Sequence, residues 1–216
     1  EPAGRGPLHA LVTPGSHGVR LGTGASVSGA SVQVTGRSGS SAASGSTGLS
    51  IESAASVFAA GNITLNGTNN NASSSAGTGL QVLGYVQSGT TSSVSLTGTL
   101  TTGGGTGTGI EVGSSATVTA GTAGLTVAGT VNSADVATGL IAADLSGSLT
   151  TSGMATITGT VNAPSAVAAT GVNLAGSLST TTASAITVTG SGVVTAATNH
   201  DVRVAGTTVS SAGGTV

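Results

Sequence analysis

A short motif, Thr-Gly-aliphatic-x-aliphatic, recurs along this chain at an almost constant spacing. Full copies occupy residues 47–51, 78–82, 108–112 and 170–174, a weaker copy occupies 138–142, and residues 17–21 and 200–204 fill the outer two positions. The second residues of these copies are numbers 18, 48, 79, 109, 139, 171 and 201, so successive positions differ by 30, 31, 30, 30, 32 and 30. A fixed period of this length predicts a stack of structural repeats.

A second motif, aliphatic-x-aliphatic-x-Gly, keeps the same register along the chain. Its glycines follow one another at intervals of 31, 31, 31, 30 and 31, and they are Gly36, Gly67, Gly98, Gly129, Gly159 and Gly190. We expect these glycines to point inward at narrow places, where the missing Cβ lets opposite walls approach or the strand bend. Four of these glycines are followed, three residues later, by a polar residue. We expect these four side chains to form a ladder at one corner, and they are Asn70, Thr101, Asn132 and Asn162.

The pattern of apolar residues predicts strands. Apolar side chains alternate with a period of two and are often β-branched, and no window has the spacing of three and four that a helix needs. Because one copy of the repeat cannot bury its own apolar face, successive copies must stack on one another. We therefore predict an all-β parallel β-solenoid, or β-helix, with about 30–31 residues per rung and six to seven rungs.

A rung of half the repeat length is the alternative, because the two motifs resemble each other. The outward residues of the second motif are nearly all small hydroxyl residues, whereas those of the first motif share no chemistry. The outward residues expected on the first motif are Arg20, Ser50, Gln81, Glu111, Ile141, Asn173 and Arg203. A rung that contains one whole repeat separates the two sets onto two faces of the solenoid, so we favour it.

Residues 17–216 form the predicted repeat domain, and residues 1–16 lie outside it. Because the end of a solenoid exposes an unpaired strand edge, we expect the N-terminal segment to be either a cap or a strand donated to the next subunit. Residues 17–20 and 200–203 have similar sequences, which favours head-to-tail stacking of subunits. The assembly ends are expected at Leu8, Leu11, Val12, Val202 and Val204.

Composition excludes several classes of function. With 38 glycines, 5% charged residues and 1% aromatic residues, the core must be thin, and a large concave active site is hard to build. The absence of cysteine removes thiol nucleophiles and zinc-cysteine sites. Four basic residues and a net charge of -2 do not supply a nucleic-acid-binding surface. No run of 18 apolar residues occurs, so we expect no transmembrane helix. We also expect no cofactor and no metal.

The acidic residues do not predict a catalytic pair. They are Glu1, Glu52, Glu111, Asp135, Asp144 and Asp201, and we expect no two of them in one column of the stack. Glu111 and Asp144 are about one rung apart, but the motifs assign them to different segments. Polysaccharide-cleaving enzymes need clustered carboxylates, so we predict that the chain is not an enzyme. A carbohydrate-active enzyme is the third alternative for its function.

Several phrases resemble the repetitive stalks of bacterial autotransporter passengers and filamentous-haemagglutinin-type adhesins. These phrases are Gly-Asn-Ile-Thr-Leu-Asn-Gly at 61–67, Gly-Thr-Val-Asn at 129–132 and Thr-Val-Thr-Gly at 187–190. The resemblance implies a right-handed parallel β-helix that serves as an extracellular, non-catalytic surface or filament protein.

The outward residues of the second motif predict a flat grid of hydroxyl groups, about 6.6 Å apart along a strand and about 4.8 Å apart between rungs. The expected binding face consists of Thr64, Thr97, Thr99, Thr126, Thr130, Thr156, Thr158, Thr160, Thr187 and Thr189. We predict a structural or adhesive solenoid, extracellular or at the cell surface, that stacks end to end into a filament or layer and has a surface or glycan as a further ligand. The alternative is an ice-binding solenoid, because the alternating Thr rows resemble the flat faces of β-solenoid antifreeze proteins.

Overall fold

The computed structural model describes residues 8–9, 17–39, 45–71, 76–193, 198–206 and 208–216. These residues form an all-β parallel solenoid of about six turns with about 31 residues per turn, and they contain no helix. The strands belong to three parallel sheets of seven strands each. The predicted fold class and the rung of one whole repeat are therefore confirmed.

We call the three sheets A, B and C. Along the chain, each turn contributes a strand to sheet B, then one to sheet C and then one to sheet A. Sheet A contains β1 (Leu8–His9), β4 (Val32–Ser38), β7 (Ile63–Asn71), β10 (Ser93–Thr102), β13 (Gly124–Ser133), β16 (Ala155–Asn162) and β19 (Ile186–Val193). Sheet B contains β2 (His17–Leu21), β5 (Ser46–Ile51), β8 (Gly77–Val82), β11 (Gly105–Val112), β14 (Ala137–Leu145), β17 (Ala168–Leu174) and β20 (Thr198–Val204). Sheet C contains β3 (Ser26–Gly29), β6 (Ser56–Ala59), β9 (Tyr85–Gln87), β12 (Thr117–Ala120), β15 (Ser148–Thr151), β18 (Ser177–Thr180) and β21 (Thr208–Ser211).

Sheet C is the main difference from the sequence prediction, which places the outward residues on two faces. Its strands are only three to four residues long, and their outward residues are mostly Ser and Thr. The turns have the same Ser- and Thr-rich composition, and strands this short show too little alternation of apolar and polar residues. The sequence therefore does not distinguish these strands from loops. Each rung therefore has three faces rather than two.

The inward columns of sheet A are continuous. Ile63 pairs with Val94, and Val94 pairs with Leu125, so the three side chains belong to one stack. All three are buried. From β4 to β19 the strand pairs keep one register without a shift, which places the second motif in the same position on every turn.

The apolar interior has two parts, separated by a row of glycines. The larger cluster contains side chains from all three sheets, including Leu49, Leu96 and Leu149. The smaller one lies where sheet A passes into sheet B and consists of Leu100, Val131, Ala137, Leu140, Ala142, Val161, Ala163, Ala166 and Ala169.

The glycines of the second motif lie between these clusters and face the backbone of sheet B. A Cβ added to Gly98 would lie 2.2 Å from the carbonyl oxygen of Gly109, and one added to Gly67 would lie 2.2 Å from that of Gly79. The prediction that these glycines mark narrow places is confirmed.

The predicted position of the weaker copy of the first motif is wrong. The ladder shifts register between Gly105 and Gly107 on β11 and between Thr138 and Leu140 on β14. As a result Glu111 pairs with Asp144, and residues 141–145, rather than 138–142, occupy the motif position. Ile141, expected in the outward column, pairs instead with Thr108.

Three of the residues predicted at the assembly ends lie at the ends of the described solenoid, and their role in assembly stays a prediction. Leu8–His9 pairs with β4 of the same chain, while Leu11 and Val12 lie outside the described residues, so the cap or donated strand stays a prediction. At the other end, Val202 and Val204 pair with β17 and are 39% and 59% exposed. They continue the inner columns of sheet B.

Candidate functional site

The ten predicted threonines lie on the outer surface of sheet A, and we call this surface the hydroxyl face. One column contains Thr64, Thr126, Thr156 and Thr187, the next contains Thr97, Thr158 and Thr189, and the third contains Thr99, Thr130 and Thr160. None of these residues is buried. The columns are interrupted or extended by Gln33, Thr35, Asn66, Ala128, Arg37, Thr68, Ser95 and Ser191.

The hydroxyl face presents a regular array to whatever lies against it. Neighbouring parallel strands place equivalent side chains about 4.8 Å apart, and side chains two residues apart on one strand are about 6.6 Å apart. Threonine offers a methyl group and a hydroxyl that both donates and accepts hydrogen bonds. Arg37, near the N-terminal end, supplies the only charge among the described outward positions of these three columns.

A fourth column flanks the hydroxyl face. Asn70, Thr101, Asn132 and Asn162 stack in register, as the sequence predicts. The amide of Asn162 donates to Asn132 Oδ1 at 3.0 Å, so two side chains of this column are hydrogen-bonded to each other. The four residues lie at the ends of sheet A strands, next to the corner with sheet B.

Sheet B carries a second ordered column of polar side chains, which we call the polar ladder: Ser50, Gln81, Glu111, Asp144 and Asn173. Ser50 donates to Gln81 Oε1 at 3.2 Å, and Gln81 Nε2 donates to Glu111 Oε2 at 2.9 Å. On the following turns, Asn173 Nδ2 donates to Asp144 Oδ1 at 2.8 Å. The side chains that share no chemistry in the sequence therefore form two hydrogen-bonded groups, Ser50–Gln81–Glu111 and Asp144–Asn173.

The polar ladder corrects the expectation that no two acids share a column. Glu111 and Asp144 are direct partners on adjacent parallel strands, whose backbones are about 4.8 Å apart. The misplaced motif copy on β14 hides this pairing in the sequence. In the other copies of the first motif, the fourth residue lies between two apolar residues. Asp144 likewise lies between Ala143 and Leu145, and this is the sequence signal for its pairing with Glu111.

The two carboxyl groups of the acid pair have similar neighbours. Hydrolysis of a glycoside needs one protonated and one ionised carboxyl group, which differ because their environments differ. Glu111 and Asp144 each have a primary amide on one side and the other carboxyl group on the other side. The hydrogen-bond partners of the two carboxyl groups are therefore of the same kind.

We predict that Asp144→Asn raises the free energy of unfolding by about 0.5–1 kcal/mol, because like charges directly opposite each other on adjacent strands are destabilising. An asparagine at this position can still accept from Asn173 and can also donate to Glu111. Urea denaturation followed by circular dichroism measures the change. Asp135→Asn, on an exposed turn, is the matched control, for which we expect no change. A loss of stability in Asp144→Asn would contradict the repulsion.

An ion pair lies at the N-terminal end of sheet B. Arg20 Nε donates to Glu52 Oε1, and the amide of Thr23 donates to Glu52 Oε2 at 3.1 Å. The hydrogen bond from Arg20 lowers the pKa of Glu52 below its ordinary value, and the backbone and side chain of Thr23 add to this effect. The stabilisation by Glu52 is therefore present above the ordinary carboxyl pKa and is lost as the pH falls through the lowered value.

The described residues offer no metal site and no membrane-spanning helix. Within the described ranges, no three residues among His, Cys, Asp and Glu lie close enough together to hold a metal ion. The part of the chain that the structure describes has no helix long and apolar enough to cross a membrane. No family model, curated protein or solved structure matches the chain. The fold places this protein in the class of parallel β-solenoids.

Proposed function

We propose that this chain is a non-catalytic structural or adhesive β-solenoid, located outside the cell or at its surface, that associates with copies of itself. The observation that carries the proposal is the hydroxyl face, an array of uncharged side chains in constant register on β7, β10, β13, β16 and β19. A flat array of this kind presents equivalent contacts on every turn, which suits lateral packing against another regular surface.

The size of the hydroxyl face supports an interface between macromolecules. Three columns on the six strands from β4 to β19, at the spacings of a parallel sheet, cover several hundred Å². This area is comparable with the approximately 800 Å² that each partner contributes to a standard protein interface. The near absence of charge on the face means that little electrostatic desolvation opposes its burial.

End-to-end stacking is the second part of the proposal. The exposed Val202 and Val204 continue inner columns that begin at Val19 and Leu21, so the first turn of a second copy would extend both columns. Such stacking would bring Arg203 of one copy close to Arg20 of the next copy. Their repulsion is reduced because Arg20 already pairs with Glu52.

The test of lateral packing is the double variant Thr158→Lys/Thr189→Lys, which places two charges on adjacent strands of the hydroxyl face. We expect the wild-type protein to form assemblies in electron micrographs and in sedimentation velocity, and the double variant to lose their lateral contacts. Burial of two unpaired ammonium groups opposes packing strongly.

The matched control is Thr119→Lys/Thr150→Lys, which introduces the same charges on adjacent strands of sheet C. We expect the control to assemble like the wild-type protein. A monomeric wild-type protein, or equal loss of assembly in both double variants, would overturn the role of the hydroxyl face. Val202→Lys/Val204→Lys tests the end-to-end contact separately, with shorter filaments expected.

Ice binding is the second candidate, and the constant register of sheet A favours it. Because no register shift occurs from β4 to β19, the threonine hydroxyls repeat at fixed spacings in two directions. A thermal-hysteresis assay distinguishes the two candidates. If the face binds ice, the wild-type protein shows hysteresis that Thr158→Lys/Thr189→Lys abolishes and the sheet C control retains.

A further inference from the structure

The outer surface of sheet C carries both aromatic residues of the chain, which contains one Phe, one Tyr and no Trp. Phe58 on β6 and Tyr85 on β9 occupy outward positions of adjacent strands, and their side chains are 41% and 50% exposed. Ser56 pairs with Tyr85, and Phe58 pairs with Gln87, so the two rings are diagonal neighbours. The chain thus places both of its largest apolar side chains on one surface and leaves about half of each in water.

The surroundings of the two rings are polar and uncharged. The other outward residues on β6 and β9 are Ser56 and Gln87, and those on the flanking strands are Ser26, Ser28, Thr117 and Thr119. The other outward residues on the described strands of sheet C are also Ser or Thr. A ligand on this surface therefore meets aromatic faces, hydroxyl groups and one exposed carboxamide, and none of the described outward positions of sheet C carries a charge.

The exposed apolar area decides between a small ligand and a protein partner. A large aromatic side chain offers about 150–250 Å² of surface, so two rings that are half exposed present roughly 200 Å². A standard protein interface buries about 800 Å² on each partner. The patch is therefore too small to hold a second protein by its rings, but it matches one or two saccharide rings.

We propose that Phe58 and Tyr85 form a binding site for a neutral carbohydrate. The C–H faces of a sugar ring pack on the aromatic faces, and its hydroxyl groups exchange hydrogen bonds with the Tyr85 hydroxyl and the Gln87 carboxamide. Neutral sugars fit because the described outward positions of the sheet C strands include no cation to pair with a sulfate or a carboxylate. This site is on a different sheet from the hydroxyl face and does not depend on self-association.

The composition of the chain supplies a direct probe. Tyr85 is the only tyrosine and there is no tryptophan, so the intrinsic emission of the protein reports on the proposed site. The experiment titrates the protein with cellohexaose, mannohexaose and a β-1,3-glucan hexaose, following tyrosine emission and the heat of binding. We expect saturable binding of at least one of these neutral probes and no binding of a heparin hexasaccharide.

Variants separate the rings from the rest of the surface. We expect Phe58→Ser to weaken binding at least about tenfold, because it removes half of the stacking area, while the Tyr85 fluorophore remains. Tyr85→Phe keeps the ring and is expected to retain most of the heat of binding. Thr150→Ser, on the same face but two strands from Tyr85, is the matched control and should bind like the wild-type protein. Circular dichroism confirms that each variant is folded.

Three results would overturn the proposal. One is the absence of saturable binding of all three neutral probes up to about 10 mM, the range of very weak affinity. Another is unchanged binding in a folded Phe58→Ser protein. The third is a change in the sedimenting mass of Phe58→Ser, which would assign the rings to a contact between copies. The double variant on the hydroxyl face tests self-association separately, so the two proposals can fail independently.

Discussion

Gly98→Ala is expected to lower the free energy of unfolding by about 3 kcal/mol or more, because the new methyl group has no space. An added Cβ would lie 2.2 Å from the carbonyl oxygen of Gly109, 2.8 Å from its carbonyl carbon and 2.9 Å from Ile110 Cβ. Two of these atoms belong to the backbone of β11, which is paired on both sides and cannot move alone. Urea denaturation followed by circular dichroism measures the loss.

Gly39→Ala is the matched control. Gly39 follows β4 and is exposed, and no described residue has an atom within 4 Å of the position where its Cβ would lie. We expect its stability to be unchanged or slightly higher, because alanine restricts the unfolded chain. Equal stability of the two variants would show that sheets A and B can separate at Gly98 without cost.

The same contact explains much of the glycine content of the chain. Gly67 faces Gly79, Gly98 faces Gly109, and Gly159 faces Gly171, at distances of 2.2, 2.2 and 1.9 Å from an added Cβ to the facing carbonyl oxygen. In these positions glycine serves close packing of two sheets rather than flexibility. A composition rich in Gly, Ser and Thr is typical of linkers, but here its periodic placement forms an ordered solenoid.

The sequence is sufficient to predict the parts of the fold that repeat. The inner columns through Ile63, Val94 and Leu125 follow from two motifs that keep one period, because a parallel stack places equivalent residues of each copy over one another. The columns of the hydroxyl face follow for the same reason. In each case the same position is present in many copies of the motif. One irregular copy therefore does not change the assignment of that position to an inner or an outer column.

Features that occur once are not predictable in the same way. The register shift at Thr138 depends on a local irregularity of the backbone, and the dipeptide Thr138-Gly139 imitates the motif at the wrong place. As a result the sequence prediction misses the pairing of Glu111 with Asp144. It also misses the exposed rings on sheet C, because strands of three or four residues have too little alternation to show which side faces outward.

Asn69→Ala is the second substitution with a large expected effect, a loss of about 3 kcal/mol in the free energy of unfolding. Asn69 lies in the inner column of sheet A below Leu100 and is fully buried. Its Oδ1 accepts from Ser38 Oγ at 2.6 Å, and its Nδ2 donates to the carbonyl oxygen of Ser46 at 2.6 Å. Alanine would leave these buried groups of Ser38 and Ser46 without the partner, in addition to a cavity.

Asn162→Ala is the matched control, since Asn162 is exposed and donates one hydrogen bond to Asn132. Water can replace that bond, so we expect a change within about 0.5–1 kcal/mol. Urea denaturation of both variants under the same conditions gives the comparison. Similar losses in the two proteins would contradict the view that burial determines the cost.

The triple variant Ser38→Ala/Ser46→Ala/Asn69→Leu distinguishes the cost of unsatisfied polar groups from the cost of lost packing. Leucine at position 69 continues the column that Leu100 and Val131 already form, while the two alanines remove the hydroxyl groups that need a partner. Replacing all the partners of a buried hydrogen bond by apolar groups is nearly neutral, but the backbone carbonyl oxygen of Ser46, which accepts from Asn69 Nδ2 at 2.6 Å, remains in the triple variant. We therefore expect the triple variant to recover the part of the stability lost in Asn69→Ala that comes from the two hydroxyl groups and the cavity. Persistence of the full loss would show that neither the two hydroxyl groups nor the cavity accounts for the cost of Asn69→Ala. Recovery of that part would show that an aliphatic column can replace the side-chain hydroxyl groups at this level of the stack.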